Sequence, residues 1–486
     1  MGRGHWFWTA VAGVVLVFFG LGLHGLGSGV ERDFDEGVYW LTLRCMSHGY
    51  RLYEQAFYSQ PSGFLPAIYP IYALFGKTIW AARLGVLVIS LLGLAGAAAI
   101  GMVLRGRAGA LIALLAMATS PVFLAASRTL QADAPVTALM LLSVGSAYLW
   151  WRHPDGKTGC ALASLAAFSL VWCIFAKLFG LAAAVPVLML AAAHLVRIRK
   201  HPAGARQAGS ASLLVGLAVT VLAVLLFLLP FHAALPRMWD QVVSFHMVAK
   251  GFAGSPFAKG VDLKHELLHM PLVPLAAAGA IIVLVRKDRL ALPLLGWLLA
   301  TLVLLWQQVP LFRHHLVVLV PPMALMATPA IALLLPDGGR LRVARTVVLL
   351  AGLYAIGTSL PRLIRQTVRV PKVPAAYGGV VAALEAAVRP DERVVTDAQF
   401  LAALADRLPP PRLVDTSFAR ILTGSLTVDA LIEGAGDRRV KAVLFYRTRK
   451  QRESRLASVP AFRAWVAAHC HLVVAWDGGC ELWIKN

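Results

Sequence analysis

An acidic segment follows the first apolar stretch of this sequence. The 486 residues include 24 Asp and Glu against 46 Lys and Arg, yet five of the carboxylates fall between Glu31 and Glu54. Asp35 and Glu36 open a stretch with apolar residues at helical spacing, which predicts an amphipathic helix at the membrane surface. At a helix N-terminus the dipole and free N–H groups favour an ionised carboxylate. Asp35 can therefore accept a proton from a hydroxyl, hold a cation, or simply cap the helix.

A second carboxylate, Asp133, stands alone between Glu54 and Asp155. Pro135 follows it within the first turn of a predicted helix, where proline is favoured, so one interpretation is an N-cap. The other is functional, because a carboxylate beside a membrane span is costly to bury and should face protein or water.

Lys177 is the one Lys, Arg, Asp or Glu between Lys157 and Arg197. It divides a long apolar segment into two lengths near that of a span, which predicts a turn between two helices. The side chain there can reach the lipid headgroups by snorkelling or serve a site.

A later turn contains Arg313, His314 and His315. Arg can bind phosphate through two hydrogen bonds, and His can donate to a phosphate oxygen. The sequence does not decide which of the two histidines matters. The loop 232–269 is also basic and aromatic, which suits either a polyprenyl phosphate or lipid headgroups.

Composition makes the chain a polytopic α-helical membrane protein. It is 59% apolar with a mean hydropathy of +0.71, and its apolar runs approach the roughly 20 residues that cross a bilayer as a helix. The first run is long and lacks a cleavage motif, so we expect a retained helix rather than a signal peptide. Eleven spans are predicted, at 6–28, 78–104, 108–126, 132–151, 159–176, 178–196, 210–231, 270–285, 290–309, 315–335 and 343–360.

Basic residues concentrate in alternate short loops between these spans. The positive-inside rule makes those loops cytoplasmic. The N-terminus is then cytoplasmic, and the acidic loop 29–77, the loop 232–269 and the C-terminal part lie outside a plasma (inner) membrane. The net charge of +22 serves topology and anionic lipid contact rather than nucleic-acid binding. The basic loops include Arg105, Arg107, Arg197, Arg199, Arg286, Lys287 and Arg289.

The composition divides the chain at about residue 360. Residues 1–360 form a transmembrane domain, and 361–486 form a soluble extracytoplasmic α/β domain, because short β-prone runs there alternate with helical patterns. The alternation predicts a largely parallel sheet with an antiparallel edge strand at 480–484. No Gly-rich phosphate fingerprint follows any strand, so nucleotide binding is not expected. The other predicted strands are 393–396, 412–415, 440–446 and 471–476.

Taken in order, these features resemble the GT-C superfamily of polytopic glycosyltransferases, in the branch of protein O-mannosyltransferases and the lipid A aminoarabinose transferase. Members similar to this chain begin with one span and an outer loop carrying an Asp-Glu pair, here Asp35-Glu36. A Tyr- and Pro-containing segment follows, here Gly49 to Pro66. The resemblance covers residues 6–335 and implies a GT-C fold.

The resemblance implies an inverting transfer of a sugar from a polyprenyl-phosphate donor to an acceptor lipid, glycan or protein at the outer face. Asp35 would be the general base, with Glu36 and Asp133 orienting acceptor, sugar or a cation. Three carboxylates are enough to hold Mg²⁺ or Mn²⁺, with Asp35 and Asp133 as ligands if a metal is used. The donor phosphate is expected at Lys177, Arg313, His314 and His315, and other substrate contacts at Tyr53, Gln60 and Arg128.

Two alternatives stay open at this stage, a secondary transporter and a non-catalytic GT-C-like envelope assembly protein. Transporters commonly carry repeated halves and charges at the bilayer midplane, whereas no repeat is evident here and the charges gather at the outer boundary. Gln60 stands where the aminoarabinose transferase has an acidic-basic pair before its prolines. The donor sugar is therefore left open.

Overall fold

The computed structural model describes residues 2–199, 203–251, 260–331, 342–447, 453–477 and 479–486. Over these residues a bundle of apolar helices is followed by a small α/β domain. Eight described helices are long and apolar enough to cross a membrane, and a bent pair of helices is a ninth candidate. The predicted fold class is confirmed.

The first part of the chain is almost wholly helical. Its α-helices are α1 (Gly2–Leu23), α2 (Phe34–Ser47), α3 (Leu65–Leu74), α4 (Ile79–Ala118), α5 (Pro121–Ser127), α6 (Asp133–Arg152), α7 (Gly156–Ala176), α8 (Ala184–Arg199), α9 (Ala203–Leu228), α10 (Leu235–Trp239), α11 (Phe245–Lys250), α12 (Leu263–His269), α13 (Val273–Val285), α14 (Leu292–Trp306), α15 (Val320–Ile331) and α16 (Arg342–Val368). Tighter or wider helical turns occupy Leu178–Ala183, Leu229–Ala234, Asp240–Ser244 and Arg313–Leu319.

Helix α4 holds two of the eleven predicted spans. Gly106 has a φ of 63° and breaks the helix. A Cβ on Gly101 would stand 2.2 Å from the carbonyl oxygen of Gly109, although eight residues of straight helix span about 12 Å. The chain therefore reverses at Gly106, and two antiparallel helices touch where Gly101 meets Gly109.

The other difference in span count lies in α13 and α14. They have 13 and 15 residues, fewer than the roughly 20 that cross the hydrocarbon alone. Each overlaps one predicted span, and every one of the eleven predicted segments contains a described helix. Residues 332–335 of the tenth predicted span lie outside the described residues.

Basic turns gather at one end of the bundle. The guanidinium of Arg105 lies 2.9 Å from the carboxylate of Asp288, and the Tyr148 hydroxyl donates to the Leu290 carbonyl at 2.9 Å. The acidic loop lies at the other end, against the α/β domain. The side of the membrane that each end faces stays a prediction from the charge pattern.

The α/β domain contains a four-stranded mixed sheet with the strand order β1-β2-β4-β3. Only β1 and β2 are parallel, while β4 pairs antiparallel with both β2 and β3. The predicted boundary at 360 lies inside α16. The elements are α17 (Ala375–Ala387), β1 (Arg393–Thr396), α18 (Gln399–Leu404), α19 (Phe418–Leu422), α20 (Val428–Gly436), β2 (Val440–Phe445), α21 (Pro460–His469), β3 (Cys470–Trp476) and β4 (Cys480–Lys485).

The prediction of a largely parallel sheet with β4 at its edge was wrong. Residues 412–415 are not a strand, because the consecutive prolines at 409–411 lack N–H donors for a ladder and lead into a 3₁₀ turn at Pro411–Leu413. β4 instead occupies an interior position, which leaves β3 at the edge.

The α/β domain packs directly on the acidic loop. The rings of Trp40 in α2 and Phe400 in α18 lie 5.3 Å apart, centroid to centroid. A Cβ on Gly37 would stand 2.6 Å from the backbone nitrogen of Phe400, so glycine allows the two helices to approach this closely. The α/β domain thus fixes the position of the first half of α2.

Candidate active site

Helix α2 is capped by Asp33 rather than by Asp35. Asp33 has extended backbone angles, and its carboxylate accepts a hydrogen bond from the Asp35 N–H at 3.1 Å. The alternative in which Asp35 serves as the N-cap is therefore excluded. Asp35 lies in the first turn with its carboxylate available for other contacts.

Asp35 lines a cavity of about 1120 Å³ whose wall comes from both the helical bundle and the α/β domain. Its carboxylate makes no hydrogen bond or ion pair with any described residue. Burial, together with the charge of Asp33, raises the pKa of Asp35 to about 7. A carboxylate that changes protonation near neutral pH is suited to general acid–base chemistry.

Glu36 faces away from this cavity. Arg83 Nε and NH2 donate to its two carboxylate oxygens at 2.8 and 2.7 Å, and both side chains are fully buried. The backbone N–H groups of Arg32 and Leu130 complete the set of donors. The prediction that Glu36 orients substrate is corrected: both of its oxygens are used to hold the acidic loop against α4.

Asp133 and Lys177 form an ion pair at the edge of the cavity. The Lys177 ammonium lies 2.8 and 2.9 Å from the two oxygens of Asp133. This pairing excludes snorkelling of Lys177 to headgroups, and Asp133 is the first residue of α6 rather than its cap. Lys177 lines the cavity, whereas Asp133 lies behind it.

His314 and His315 are used differently. His314 Nδ1 lies 3.3 Å from a carboxylate oxygen of Asp33 and 3.4 Å from the Gln131 amide. Its buried Nε2 has no hydrogen-bond partner among the described residues. His315 Nδ1 accepts from the Phe312 N–H at 3.2 Å and so helps to hold the turn. Both rings line the cavity, with His314 paired to the acidic loop and His315 to its own turn.

Arg313 lines the cavity with a largely exposed side chain, which pairs with Glu266 at 3.0 Å. From the loop 232–269, His246 and Lys250 also reach the cavity wall. Residues 252–259 of that loop lie outside the described residues. The described basic side chains thus give one part of the cavity, which we call the cationic wall (Lys177, Arg313 and His314), a positive character.

Asp133, His314 and His315 offer ligand atoms within 4.8 Å of one another, the one such group among the described residues. The group does not fit a divalent ion as it stands, because the Lys177 ammonium already occupies both oxygens of Asp133. A metal ion would have to displace a cation that neutralises the same carboxylate. We therefore derive no chemical step through Mg²⁺ or Mn²⁺.

Of the three other predicted substrate contacts, only Gln60 lines the cavity. The buried Tyr53 hydroxyl donates to the Gln60 carbonyl at 2.9 Å, so Tyr53 shapes the loop that presents Gln60. Arg128 donates to the carbonyls of Gln366 and His24 and links α5 to the ends of α16 and α1. The predictions of substrate contact for Tyr53 and Arg128 are corrected for that reason.

The sequence interpretation missed two parts of the site. One is the pairing of Asp33 with His314, for which the position of Asp33 two residues before Asp35 was the available signal. The other is the set of α/β-domain residues that line the cavity, because no motif in residues 361–486 indicated them. We call this part the C-terminal wall; it contains Asp415, Ser417, Phe418, Thr423 and Arg455.

An acidic loop and a cationic wall thus meet in one cavity at the end of a polytopic helical bundle. Residues 64–195, which include Asp133 and Lys177, match the family described as dolichyl-phosphate-mannose-protein mannosyltransferase. No curated protein sequence matches this chain.

Solved structures extend the likeness over the whole chain. ArnT from Cupriavidus metallidurans bound to undecaprenyl phosphate has a TM-score of 0.64 at 16% identity, covering 100% of this chain and 99% of that chain. The apo oligosaccharyltransferase of Archaeoglobus fulgidus has a TM-score of 0.62 at 13% identity, covering 100% and 75%. The archaeal AglB complex with an inhibitory peptide and a dolichol-phosphate has 0.56 at 14%, covering 100% and 74%. The expected resemblance in fold is confirmed, and at these identities the likeness to solved structures is one of fold alone.

Proposed function

We propose that this protein is an inverting glycosyltransferase that moves a sugar from a polyprenyl-phosphate donor to an acceptor hydroxyl at the outer face of the plasma membrane. The observation that carries the proposal is Asp35, whose unpaired carboxylate faces the same cavity as Lys177, Arg313 and His314. The family match and the shared fold support glycosyl transfer in general terms. The sugar and the acceptor are left open.

The cationic wall suits the donor phosphate. Lys177 and Arg313 keep N–H groups beyond those used on Asp133 and Glu266, and the His314 ring lines the cavity. Because these groups are already fixed by their partners, they can stabilise charge that develops on the departing phosphate without reorganising.

An apolar path supports a donor carried on lipid. Val122, Leu178, Leu181 and Leu304 line the cavity, and the side chains of the first three are exposed. A polyprenyl chain can therefore lie along this surface while its phosphate reaches Lys177. A soluble nucleotide donor would have no use for such a path.

Asp35 provides the base for this reaction. Its carboxylate takes the proton of the acceptor hydroxyl, and the acceptor oxygen bonds to the anomeric carbon from the face opposite the phosphate. The bond from that carbon to the phosphate oxygen breaks, and its electron pair leaves with the polyprenyl phosphate. One displacement inverts the anomeric centre, and general base catalysis contributes about 10²- to 10⁴-fold to the rate.

The proposal is tested by incubating the purified protein with a panel of polyprenyl-phosphate sugars and an envelope extract as the acceptor source. We expect one donor to be consumed and its sugar to appear on an acceptor with inverted configuration. Asp35→Asn should reduce this transfer by about 100-fold or more. Asp429→Asn is the matched control, because Asp429 is exposed in the first turn of α20, outside the cavity.

Two results would contradict the proposal. Full transfer activity in a folded Asp35→Asn variant would favour an assembly protein without catalysis. Proton- or sodium-coupled flux in liposomes, without consumption of any donor, would favour a transporter.

A further inference from the structure

Defined contacts hold the residues of the C-terminal wall, as they do those of the cationic wall. The reaction proposed above does not use the C-terminal wall. The guanidinium carbon of Arg455 lies 3.7 Å from the centroid of the Phe34 ring. Phe34 is the residue between Asp33 and Asp35. Arg420 lies 3.7 Å from the Phe57 ring in the same way. Two Arg–aromatic contacts therefore fix the α/β domain on the acidic loop.

Asp397 holds Arg455 in this position. Its carboxylate accepts hydrogen bonds from the Ser454 hydroxyl and the Arg455 N–H, both at 2.6 Å. The Arg455 guanidinium donates to the Asp397 carbonyl at 3.3 Å, its one hydrogen bond to the described residues. Its other N–H groups are left for the cavity.

Asp415 is held in a similar way. One of its carboxylate oxygens accepts from the Ser417 N–H at 2.8 Å, and Arg420 donates to its backbone carbonyl at 2.6 Å. The second carboxylate oxygen has no partner among the described residues. The side chain is buried yet lines the cavity.

These two groups lie close to the proposed base. After burial and Asp33, the charges of His314, Lys177 and Asp415 all act on the pKa of Asp35. Burial lowers the pKa of Arg455, and the charges of Asp397, Glu31, Asp415 and Asp35 oppose that shift. Asp35 is therefore within electrostatic range of both the cationic wall and the C-terminal wall.

We propose that the C-terminal wall is the acceptor subsite and that it binds a carbohydrate acceptor through Asp415, Arg455 and Phe418. The inference rests on the proposed function. If the donor phosphate occupies the cationic wall, the acceptor hydroxyl must approach Asp35 from another part of the cavity, and the C-terminal wall is the polar part that remains.

The chemistry of this wall suits a sugar. Sugar hydroxyls both donate and accept, so they can use a carboxylate and a guanidinium side by side. The apolar C–H face of a sugar ring can pack on an aromatic ring such as Phe418.

A peptide acceptor would need different groups. One common way to bind an extended peptide is to add it as a strand to an exposed sheet edge. The described part of this wall instead comes from turns and α19, and the N–H groups of Ser417 and Arg420 are already used within the wall. The wall thus presents side chains rather than a backbone ladder.

The test uses the full-length protein and the donor that the panel identifies. Probe acceptors are the octyl glycosides of glucose, galactose, mannose and N-acetylglucosamine, compared with an octapeptide containing Ser and Thr. We expect transfer to at least one glycoside. Asp415→Asn and Arg455→Gln should each raise the KM for that glycoside by about tenfold or more, since hydrogen bonds to charged groups are lost.

The donor side should be unaffected by these substitutions. We expect the KM for the donor to stay within about twofold of that of the unsubstituted protein. Phe418→Leu gives a second variant that removes ring packing without changing charge. Asp429→Asn and Arg463→Gln are matched controls outside the cavity.

The outcomes separate the two proposals. If no donor is consumed in any arm, the proposed function fails and this inference fails with it. If the donor is consumed but only the peptide is modified, or if all three variants keep the acceptor KM of the unsubstituted protein, the inference alone is overturned. A variant whose unfolding temperature falls well below that of the unsubstituted protein is set aside as destabilised, and the remaining variants then decide.

Discussion

The Lys177 ammonium lies 2.8 and 2.9 Å from the two oxygens of Asp133, although 44 residues separate these side chains in the sequence. The pair joins the end of α7 to the start of α6 and leaves Lys177 at the cavity surface. It therefore places a cation where the donor phosphate is proposed to bind.

Removal of this cation should impair transfer strongly. In Lys177→Met we expect kcat/KM for the donor to fall by about 10²- to 10³-fold, the range found when one preorganised charge-stabilising group is lost. Part of this fall in kcat/KM should come from Asp133, which is left as a buried carboxylate without its partner. Asp133→Asn combined with Lys177→Met should then recover thermal stability but not activity. Lys157→Met, exposed at the opposite end of the bundle, is the control, and an equal loss there would contradict the assignment.

The pH dependence of transfer should follow Asp35. Because a base must be ionised, we expect the rate at saturating donor to rise with pH and to level off above about pH 7, where the raised pKa of Asp35 lies. Asp35→Asn should give a low, flat profile between pH 5 and pH 8. A profile that keeps its inflection in the variant would assign it to another group.

The same shift in pKa predicts a change in stability. The folded protein raises the pKa of Asp35 from 3.8 to about 7, so between these pH values it holds a proton that the unfolded chain has released. The contribution of Asp35 to the free energy of unfolding therefore falls as pH rises from 3.8 to about 7. Asp35→Asn should unfold at a higher temperature than the unsubstituted protein at pH 8, and the difference should shrink below pH 5.

Glu36 should behave as a structural residue. Because Arg83 and Glu36 are fully buried, Glu36→Gln leaves a buried guanidinium without its counter-charge and should cost about 3–5 kcal/mol of stability. Glu54→Gln, which breaks a pair with the exposed Arg51, should cost about 1 kcal/mol or less. Thermal unfolding of the purified variants measures both. If Glu36→Gln kept normal stability and lost only activity, a catalytic role would have to be reconsidered.

The sequence predicted the class of fold and most of the charged groups, but it did not predict which of them meet. Asp35, Asp133 and Lys177 were identified because rare charges in an apolar chain stand out, whereas the sequence did not distinguish His314 from His315. Glu36 and Arg128 were assigned to the substrate, yet Glu36 is held in a buried ion pair with Arg83 and Arg128 donates to backbone carbonyls of other helices. Whether a charge faces a cavity or a structural partner depends on long-range packing. The C-terminal wall shows this most clearly, since Asp415 and Arg455 join the site only through the docking of a second domain.

Transfer should not depend on an added divalent metal. The Lys177 ammonium already neutralises Asp133, so we expect pre-incubation with EDTA to change the initial rate by less than about twofold. Loss of activity that Mn²⁺ or Zn²⁺ restores would contradict this and would point to displacement of Lys177. The test is made on the unsubstituted protein and on His315→Gln, which removes one of the three potential ligands.

The reversal inside α4 can be tested by one methyl group. If residues 79–118 formed a continuous helix, Gly101→Ala would stabilise the protein by about 1 kcal/mol, because Ala is the better helix former. In the hairpin that the structure shows, the new Cβ would stand 2.2 Å from the Gly109 carbonyl oxygen, and two packed backbones would have to separate. We therefore expect Gly101→Ala to lower the unfolding temperature and the yield of folded protein. Gly352→Ala is the matched control, since that glycine also lies within a helix and a Cβ there would meet nothing within 4 Å. If Gly101→Ala were tolerated as well as Gly352→Ala, α4 would not turn back on itself. The number of spans, which places the acidic loop and the α/β domain on one side of the membrane, would then have to change.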